Sequence, residues 1–428
     1  MQRKWPFFIK YIEVILIIIL FIKIGGYFSI VEERSVNQVF KTISRIGMTL
    51  AISFIHLKLT RFGCLSYISH KNILAPILYV GYLLLGFLSF SWSTNWQYSA
   101  LQWLMTFESF VFVYIFYRVI SMINEYFPAR RVNLTKLFTW AFFPIMIIFI
   151  IGSFVEPSIF YRGMRGGEEM RLGGWIMNPN ELGMLAGIGG AMSYLYIQAS
   201  KKKIWGLLMM VAAVYILLMT SSRSSAIGFV MIMGILILKS ENKRLKGAMI
   251  VVGIIVIPVL INFVVFKADG GVEEVMSMTG RLPFWKALLN EGIVREPFFG
   301  YGFMRINYTE YFQGLNTYPA KMTHNTFMQV LMNLGFVGFF IAFWQLMATI
   351  RNYRKNKKSD YSSFFIAVFI PVLINSFTEF GIFGEANYGI LFYQFLILLF
   401  VVEIRKNLTN REGLKAAFFQ SRLKGLDP

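Results

Sequence analysis

Apolar residues in this chain come in unbroken blocks, neither at every second position nor along one stripe of a helix. The blocks run about 17 to 25 residues, the length that carries a helix across a hydrocarbon layer of about 30 Å. Read between charged or Gly/Pro/Asn/Ser breaks, they predict about twelve transmembrane helices near 7–24, 39–57, 73–90, 97–117, 137–154, 180–199, 204–220, 224–238, 247–266, 325–350, 361–377 and 386–402. The first block follows Met-Gln-Arg-Lys, and Lys23-Ile-Gly-Gly-Tyr27 leads into polar sequence without a small-residue cleavage site, so it reads as a retained span.

Sidedness follows from Lys and Arg in alternate connections. The set from the N-terminal Arg3 and Lys4 through Lys201-Lys202-Lys203 to Arg351, Arg354 and the C-terminal tail holds 28 of the 42 basic residues, which makes that face cytoplasmic and both termini internal. Cytoplasmic connections are short and basic. Two external ones, about 155–179 and about 267–324, are long, and the second is rich in aromatic, Gly and Pro residues, as expected of a partly helical cap. Residues 1–428 read as a single integral membrane domain, and Glu13 and Glu108 fall within predicted spans, as buried polar links or parts of a path.

Composition narrows the classes. Hydrophobic residues make up 56% and charged residues 15%, against about 25% charged in soluble domains, which excludes a water-soluble globule. A formal charge of +20 would suggest nucleic acid in a soluble protein, but here most of it is accounted for by the cytoplasmic anchor set. The one cysteine, Cys64, excludes a disulfide framework; three histidines, His56, His70 and His324, exclude a multi-histidine zinc centre unless carboxylates complete it. The external carboxylates are Asp269 and twelve glutamates from Glu32 to Glu385, Glu379 among them; they show no Asp-x-Asp pair that announces a divalent metal site.

External arginines run against the positive-inside bias and need another explanation. Arg162 and Arg165 share a loop with Glu156, Glu168 and Glu169, where a salt-bridge cluster accounts for them as well as a ligand does. Arg171 precedes Leu172-Gly-Gly-Trp175 and Asn178-Pro-Asn-Glu-Leu-Gly183. Asn178 or Asn180 can cap the helix that opens there, with Pro179 in its first turn, and a helix start beside an arginine also suits a phosphate. Arg223, in Thr220-Ser-Ser-Arg-Ser-Ser225 between two apolar blocks, is a charge near the membrane core and should face a polar cavity unless it snorkels. Arg281 begins a short amphipathic stretch. His324 stands at the start of the tenth span, either as an ordinary helix-end residue or as an external group able to move a proton near neutral pH.

From about Arg171 to about Gly338 these elements resemble, in order and placement, the O-antigen ligase and polymerase superfamily of bacterial envelope glycosyltransferases. The resemblance is carried by Arg171-Leu-Gly-Gly with Asn178-Pro-Asn-Glu-Leu-Gly183, Ser-Ser-Arg223-Ser, and Gly280-Arg281 followed by Trp285. Pro297-Phe-Phe-Gly-Tyr-Gly302, and His324-Asn325 followed by Leu331 and Gly335-Phe-Val-Gly338, complete it. Ser224 stands where the family often has glycine. The resemblance implies an all-α polytopic fold of the GT-C-like glycosyltransferase architecture in the bacterial inner membrane, with its site on the external, periplasmic side. It implies an undecaprenyl pyrophosphate-linked glycan donor, a glycan or lipid-core acceptor, contact with membrane lipid, no nucleic acid, and no metal ion, nucleotide sugar or other cofactor. Arginine forks suit the diphosphate leaving group, so Arg223, Arg281 and then Arg171 are expected to hold it, and His324 to take the acceptor proton. Asn178, Asn180, Asn325 and Arg305 complete the expected substrate-binding set.

Joining repeat units into a surface polysaccharide and ligating finished glycan to lipid A-core or another acceptor use the same donor and stay open side by side. A transporter or flippase is the reading from another class, but no second copy of Thr-Ser-Ser-Arg or Asn-Pro-Asn marks a repeated half. A metal-dependent lipid-linked glycosyltransferase is a further alternative, removed if activity survives strong chelation. The charge count yields a topological prediction: cysteines placed at Ser93, Arg165 and Asn316 react with a membrane-impermeant label in intact cells, and cysteines at Lys202 and Lys357 do not. External labelling at 202 would invert the predicted topology.

Overall fold

The computed structural model describes residues 7–29, 33–66, 72–164, 169–241, 243, 246–247, 251, 254, 281–303, 323–379, 381–384 and 386–402. They are mostly helical. A 3₁₀ turn, Phe7–Tyr11, leads into α1 (Ile12–Gly25), followed by α2 (Arg34–Arg61), α3 (Leu74–Leu88), α4 (Trp96–Tyr126), α5 (Leu134–Val155) and the single turn α6 (Pro157–Phe160). A two-stranded antiparallel hairpin, β1 (Tyr161–Met164) and β2 (Glu169–Leu172), comes next, then α7 (Pro179–Ala199), α8 (Lys203–Met219) and α9 (Arg223–Lys239). After α10 (Arg281–Ala287) and a π-helical turn, Leu288–Gly292, the chain forms α11 (Thr326–Lys355), α12 (Ser362–Ser376) and α13 (Tyr388–Leu398).

Four helical stretches among the described residues, Leu74–Ser91, Trp96–Tyr126, Pro128–Val155 and Thr326–Lys355, are long and apolar enough to cross a membrane; Lys203–Met219, Ser362–Ser376 and Tyr388–Leu398 are shorter apolar helices. The protein is therefore a helical membrane protein. Most of the expected span 247–266 and much of the expected loop 267–324 lie outside the described residues. The expected loop 155–179 is not plain loop: it contains α6 and the hairpin.

α7 lies at the centre, packed on α5, α8, α9 and α12. Its Gly183-x-x-x-Gly187-x-Gly189-Gly190 run lets neighbouring helices approach closely, and most of its side chains are buried. Phenylalanines fill the space between α5, α12 and α13: the Phe138 ring meets Phe364 at 5.0 Å and Phe395 at 5.1 Å, both edge to face. Both glutamates within predicted spans prove to be polar links, Glu108 joined to the buried Lys23 and Glu13 to Lys136 at 2.6 Å.

The helix predicted near 325–350 is one element with a break inside. Gly335 has φ 61° and ψ −162°, and the carbonyls freed around it are taken by Pro297-Phe-Phe-Gly-Tyr-Gly302. The Tyr301 N–H donates to Met332 O at 3.0 Å and the Gly302 N–H to Asn333 O at 2.8 Å, while the Phe336 N–H donates to Pro297 O at 2.8 Å. In an apolar setting a broken helix persists only if such groups are satisfied, so these two glycine-rich motifs form a backbone clasp. A Cβ at Gly335 would come within 2.3 Å of the Phe298 carbonyl carbon on top of an unfavourable φ. Gly335→Ala should lower thermal stability by about 1–3 kcal/mol or more. Gly234→Ala, where an added Cβ meets nothing within 4 Å, should melt close to wild type in the same detergent assay.

Candidate functional site

The site is assembled from five stretches far apart in sequence. The hairpin sets Arg171 opposite Arg162 in register, and the chain then turns back at Gly173-Gly174. Gly174 has φ +58°, and a Cβ there would sit 1.9 Å from Ile159 O, so only glycine fits this turn. The Trp175 N–H donates to Ile159 O at 3.1 Å and locks it. So placed, Arg171 donates from Nε to Thr220 O at 2.8 Å and from a terminal nitrogen to Asn180 Oδ1 at 2.9 Å.

Asn180 lies in the first turn of α7. Asn178 caps that helix, its Oδ1 accepting from the Asn180 N–H at 2.9 Å, with Pro179 at the first helical position, as the sequence suggested. The Asn180 side chain is thereby free to face outward from the helix start, and its Nδ2 donates to Glu379 Oε1 at 2.8 Å. The Thr220–Ser225 turn is stitched to the same place: the Ser222 hydroxyl donates to Ser225 Oγ at 2.8 Å, and the Ser225 hydroxyl to Asn180 O at 3.1 Å.

Glu379, in the connection between α12 and α13, is 3% exposed and gathers the rest. Its Oε2 lies 2.9 Å from His324 Nδ1, and its Oε1 3.4 Å from a terminal nitrogen of Arg281. The other terminal nitrogen of Arg281 donates to Thr378 O at 2.7 Å, and Arg281 Nε, buried, has no hydrogen-bond partner among the described residues. His324 is held at φ 50°, a left-handed conformation rare outside glycine, between Thr323, whose carbonyl accepts from Trp285 Nε1 at 2.7 Å, and Asn325, which caps α11. The Thr326 hydroxyl donates to Glu379 O at 3.3 Å and accepts from the Gly381 N–H at 3.0 Å, clamping the carboxylate's own backbone to the start of α11.

Arg171, Asn180, Arg281 and His324 are thus brought together. Asn178 and Asn325 sit beside them with their side-chain oxygens committed to helix caps, and Asn325 Nδ2 reaches Phe377 O at 3.4 Å. Arg223 begins α9 in the stitched turn. It is partly buried, has no hydrogen-bond or ion-pair partner among the described residues, and its flanking Ser222 and Ser225 bind each other and α7 instead of ringing it. Arg162 lies over the Trp175 ring at 5.9 Å; Arg165 and Arg305 lie outside the described residues. In the sequence Glu379 is one expected external glutamate in twelve. Its signal was a lone carboxylate in Ser376-Phe-Thr-Glu-Phe380, between two apolar blocks.

Burial alone pushes the Glu379 carboxyl up, but the hydrogen bond and charge of His324, the charge of Arg281 and the hydrogen bond from Asn180 outweigh it and hold it below its ordinary value. The result is an ionised carboxylate inside a set of guanidinium and imidazole groups. Among the described residues, no three of His, Cys, Asp and Glu converge as a metal site would require. Beside the Arg171 segment, an apolar cavity of about 990 Å3 opens between α1, α2 and α5, lined by Phe28, Phe149, Phe160, Trp175 and Ile176 among others.

A helical membrane protein with a polar, arginine-rich site at one end of its bundle is the class these features define. Residues 208–343 match the family described as O-antigen ligase. The matched stretch includes Arg223, Arg281, Arg305, His324 and Asn325; Arg171, Asn180 and Glu379 fall outside it. No curated protein matches the chain.

The lowered Glu379 pKa has a signed consequence. A carboxyl whose folded pKa lies below its unfolded one adds stability that is present above the ordinary carboxylate range and lost as pH falls through the folded value. In infrared difference spectra of wild type against Glu379→Gln, the protonated-carboxyl band of Glu379 should therefore emerge only below the pH at which exposed glutamates have already titrated. A band present at neutral pH would contradict the ionised state.

Proposed function

We propose that this protein transfers oligosaccharide from an undecaprenyl pyrophosphate carrier on the external face of the bacterial inner membrane, extending a surface polysaccharide, with about twelve spans and both termini inside. The observation that carries the reading is the convergence of Asn180, Arg281 and His324 on one buried carboxylate, with Arg171 joined to it through Asn180, next to the turn that holds Arg223. In the reaction the acceptor hydroxyl oxygen attacks the anomeric carbon, the bond from that carbon to the diphosphate oxygen breaks, and the electron pair leaves with the diphosphate. Negative charge grows on that leaving group, and fixed guanidinium groups are suited to receive it without a metal. Arg223 and Arg281 are assigned to this charge, with Arg171 behind Asn180. His324 accepts the hydroxyl proton. The apolar cavity beside the Arg171 segment has the size and lining for part of the carrier's hydrocarbon chain.

The family description as a ligase supports a second reading, in which the acceptor is lipid A-core or another finished carrier. Carrier-lipid analysis of a deletion strain separates the two. Loss of a polymerase leaves single repeat units on the final acceptor, and loss of a ligase leaves long chains on the carrier.

The enzymatic reading is tested with purified protein in lipid, a synthetic lipid-linked donor and chelator throughout. Arg223→Lys and Arg281→Lys should each lose most activity although the charge is kept, because an ammonium cannot reproduce the planar fork. His324→Ala should still bind donor but turn over about 10²- to 10⁴-fold more slowly. The exposed Arg351 and Arg354 serve as controls, and their Lys variants should work as wild type does. Near-normal turnover by both arginine-to-lysine variants would remove the diphosphate assignment, and loss of activity in chelator would require a metal.

A further inference from the structure

From the geometry around His324 we infer that Glu379 is the positioning residue of the transfer reaction: it holds the imidazole by Nδ1 so that Nε2 is the nitrogen that takes the acceptor proton. The inference rests on the reading of His324 as the base. It adds a residue that lies outside the matched family stretch and that no sequence motif marked.

The geometry leaves little choice of tautomer. Glu379 Oε1 already accepts from Asn180 at 2.8 Å and faces Arg281 at 3.4 Å, and Oε2 faces His324 Nδ1 at 2.9 Å. An ionised carboxylate can only accept, so the hydrogen between Glu379 and His324 belongs to Nδ1. A neutral imidazole with its hydrogen on Nδ1 has its lone pair on Nε2. The same contact serves the next instant of the reaction. When Nε2 takes the hydroxyl proton, the ring becomes imidazolium beside a carboxylate that stays ionised, and no proton passes to Glu379. Such a base needs its orienting group fixed, and here both ends are fixed. The Thr326 hydroxyl holds the Glu379 carbonyl and the Gly381 N–H, and the Trp285 indole holds the Thr323 carbonyl next to His324.

Glutamine at 379 is the informative change, since it keeps the shape and removes the charge. With its oxygen toward Asn180 and Arg281, its amide donates to Nδ1 and forces the hydrogen onto Nε2, the wrong tautomer for a base. Glu379→Gln in lipid should bind the lipid-linked donor as His324→Ala does and lose about 10²-fold or more in kcat. Glu379→Asp should recover part of the rate. Adding Glu379→Gln to His324→Ala should cost nothing further, because a residue acting through the histidine has nothing left to act on. A purely structural glutamate would show an additional loss in that background, which would overturn the inference. Wild-type turnover by Glu379→Gln alongside an impaired His324→Ala overturns this inference and leaves the base assignment standing; near-normal turnover by His324→Ala overturns both. A measurement on the unaltered protein stands apart from any folding defect. With three histidines in the chain, 15N-histidine solid-state NMR in lipid can be assigned by substitution at His56 and His70. It should find neutral His324 protonated at Nδ1, and protonation at Nε2 instead would refute the proposal.

Discussion

A carboxylate at 3% exposure cannot remain ionised without compensation, and at Glu379 the compensation is the site itself. Its partners are an imidazole, a guanidinium and an amide, each delivered by a different element: the start of α11, α10 and the first turn of α7. Satisfying one buried charge therefore fixes the mutual positions of these three groups. Arg171 extends the network by one more hydrogen bond and ties it to the Thr220 carbonyl between α8 and α9. The helix ends around Glu379 are in this way cross-braced.

The same requirement, that no polar group be left unsatisfied in an apolar surrounding, shapes the backbone. α11 breaks at Gly335 because residues 297–302 supply donors and acceptors to the break, and that clasp sets where α10 and its following turn lie against α11. Tyr301 is anchored there too, its hydroxyl donating to Gly292 O at 3.0 Å. Motifs that read as part of a glycosyltransferase signature thus divide into those that carry side-chain chemistry and those that hold the frame carrying it.

A second group of charges lies among α1, α2 and α4. Lys23, fully buried, pairs with Glu108, donates to Arg45 O at 3.3 Å and lies 4.7 Å from the Phe112 ring, while Arg45 stacks over Tyr27 at 4.6 Å. Interhelical polar contacts of this kind hold helices together where hydrophobicity cannot distinguish a neighbour from lipid. They join the amino-terminal helices into one body next to the apolar cavity. The polar network around Glu379 is built from β2 onward, and the first helices pack beside it.

Block length and charge distribution alone determined that this is a helical membrane protein, because spanning an apolar layer demands about twenty apolar residues whatever the fold. Local chemistry was legible as well: Asn178 and Pro179 start α7 because capping depends on residues within one turn, and the order of arginine, serine-arginine and histidine motifs carried the resemblance to the O-antigen ligase and polymerase superfamily before any geometry. The tertiary structure alone decided which of those residues meet. Asn178 and Asn325 spend their side chains on caps, Asn180 and His324 turn to a common centre, and that centre is a glutamate with no motif around it. The contacts that define the site join Glu379 to partners 55, 98 and 199 residues away. Periodicity and spacing report neighbours within a turn or a span. A buried carboxylate's partners are set by how the helices pack, and a linear pattern does not contain that information.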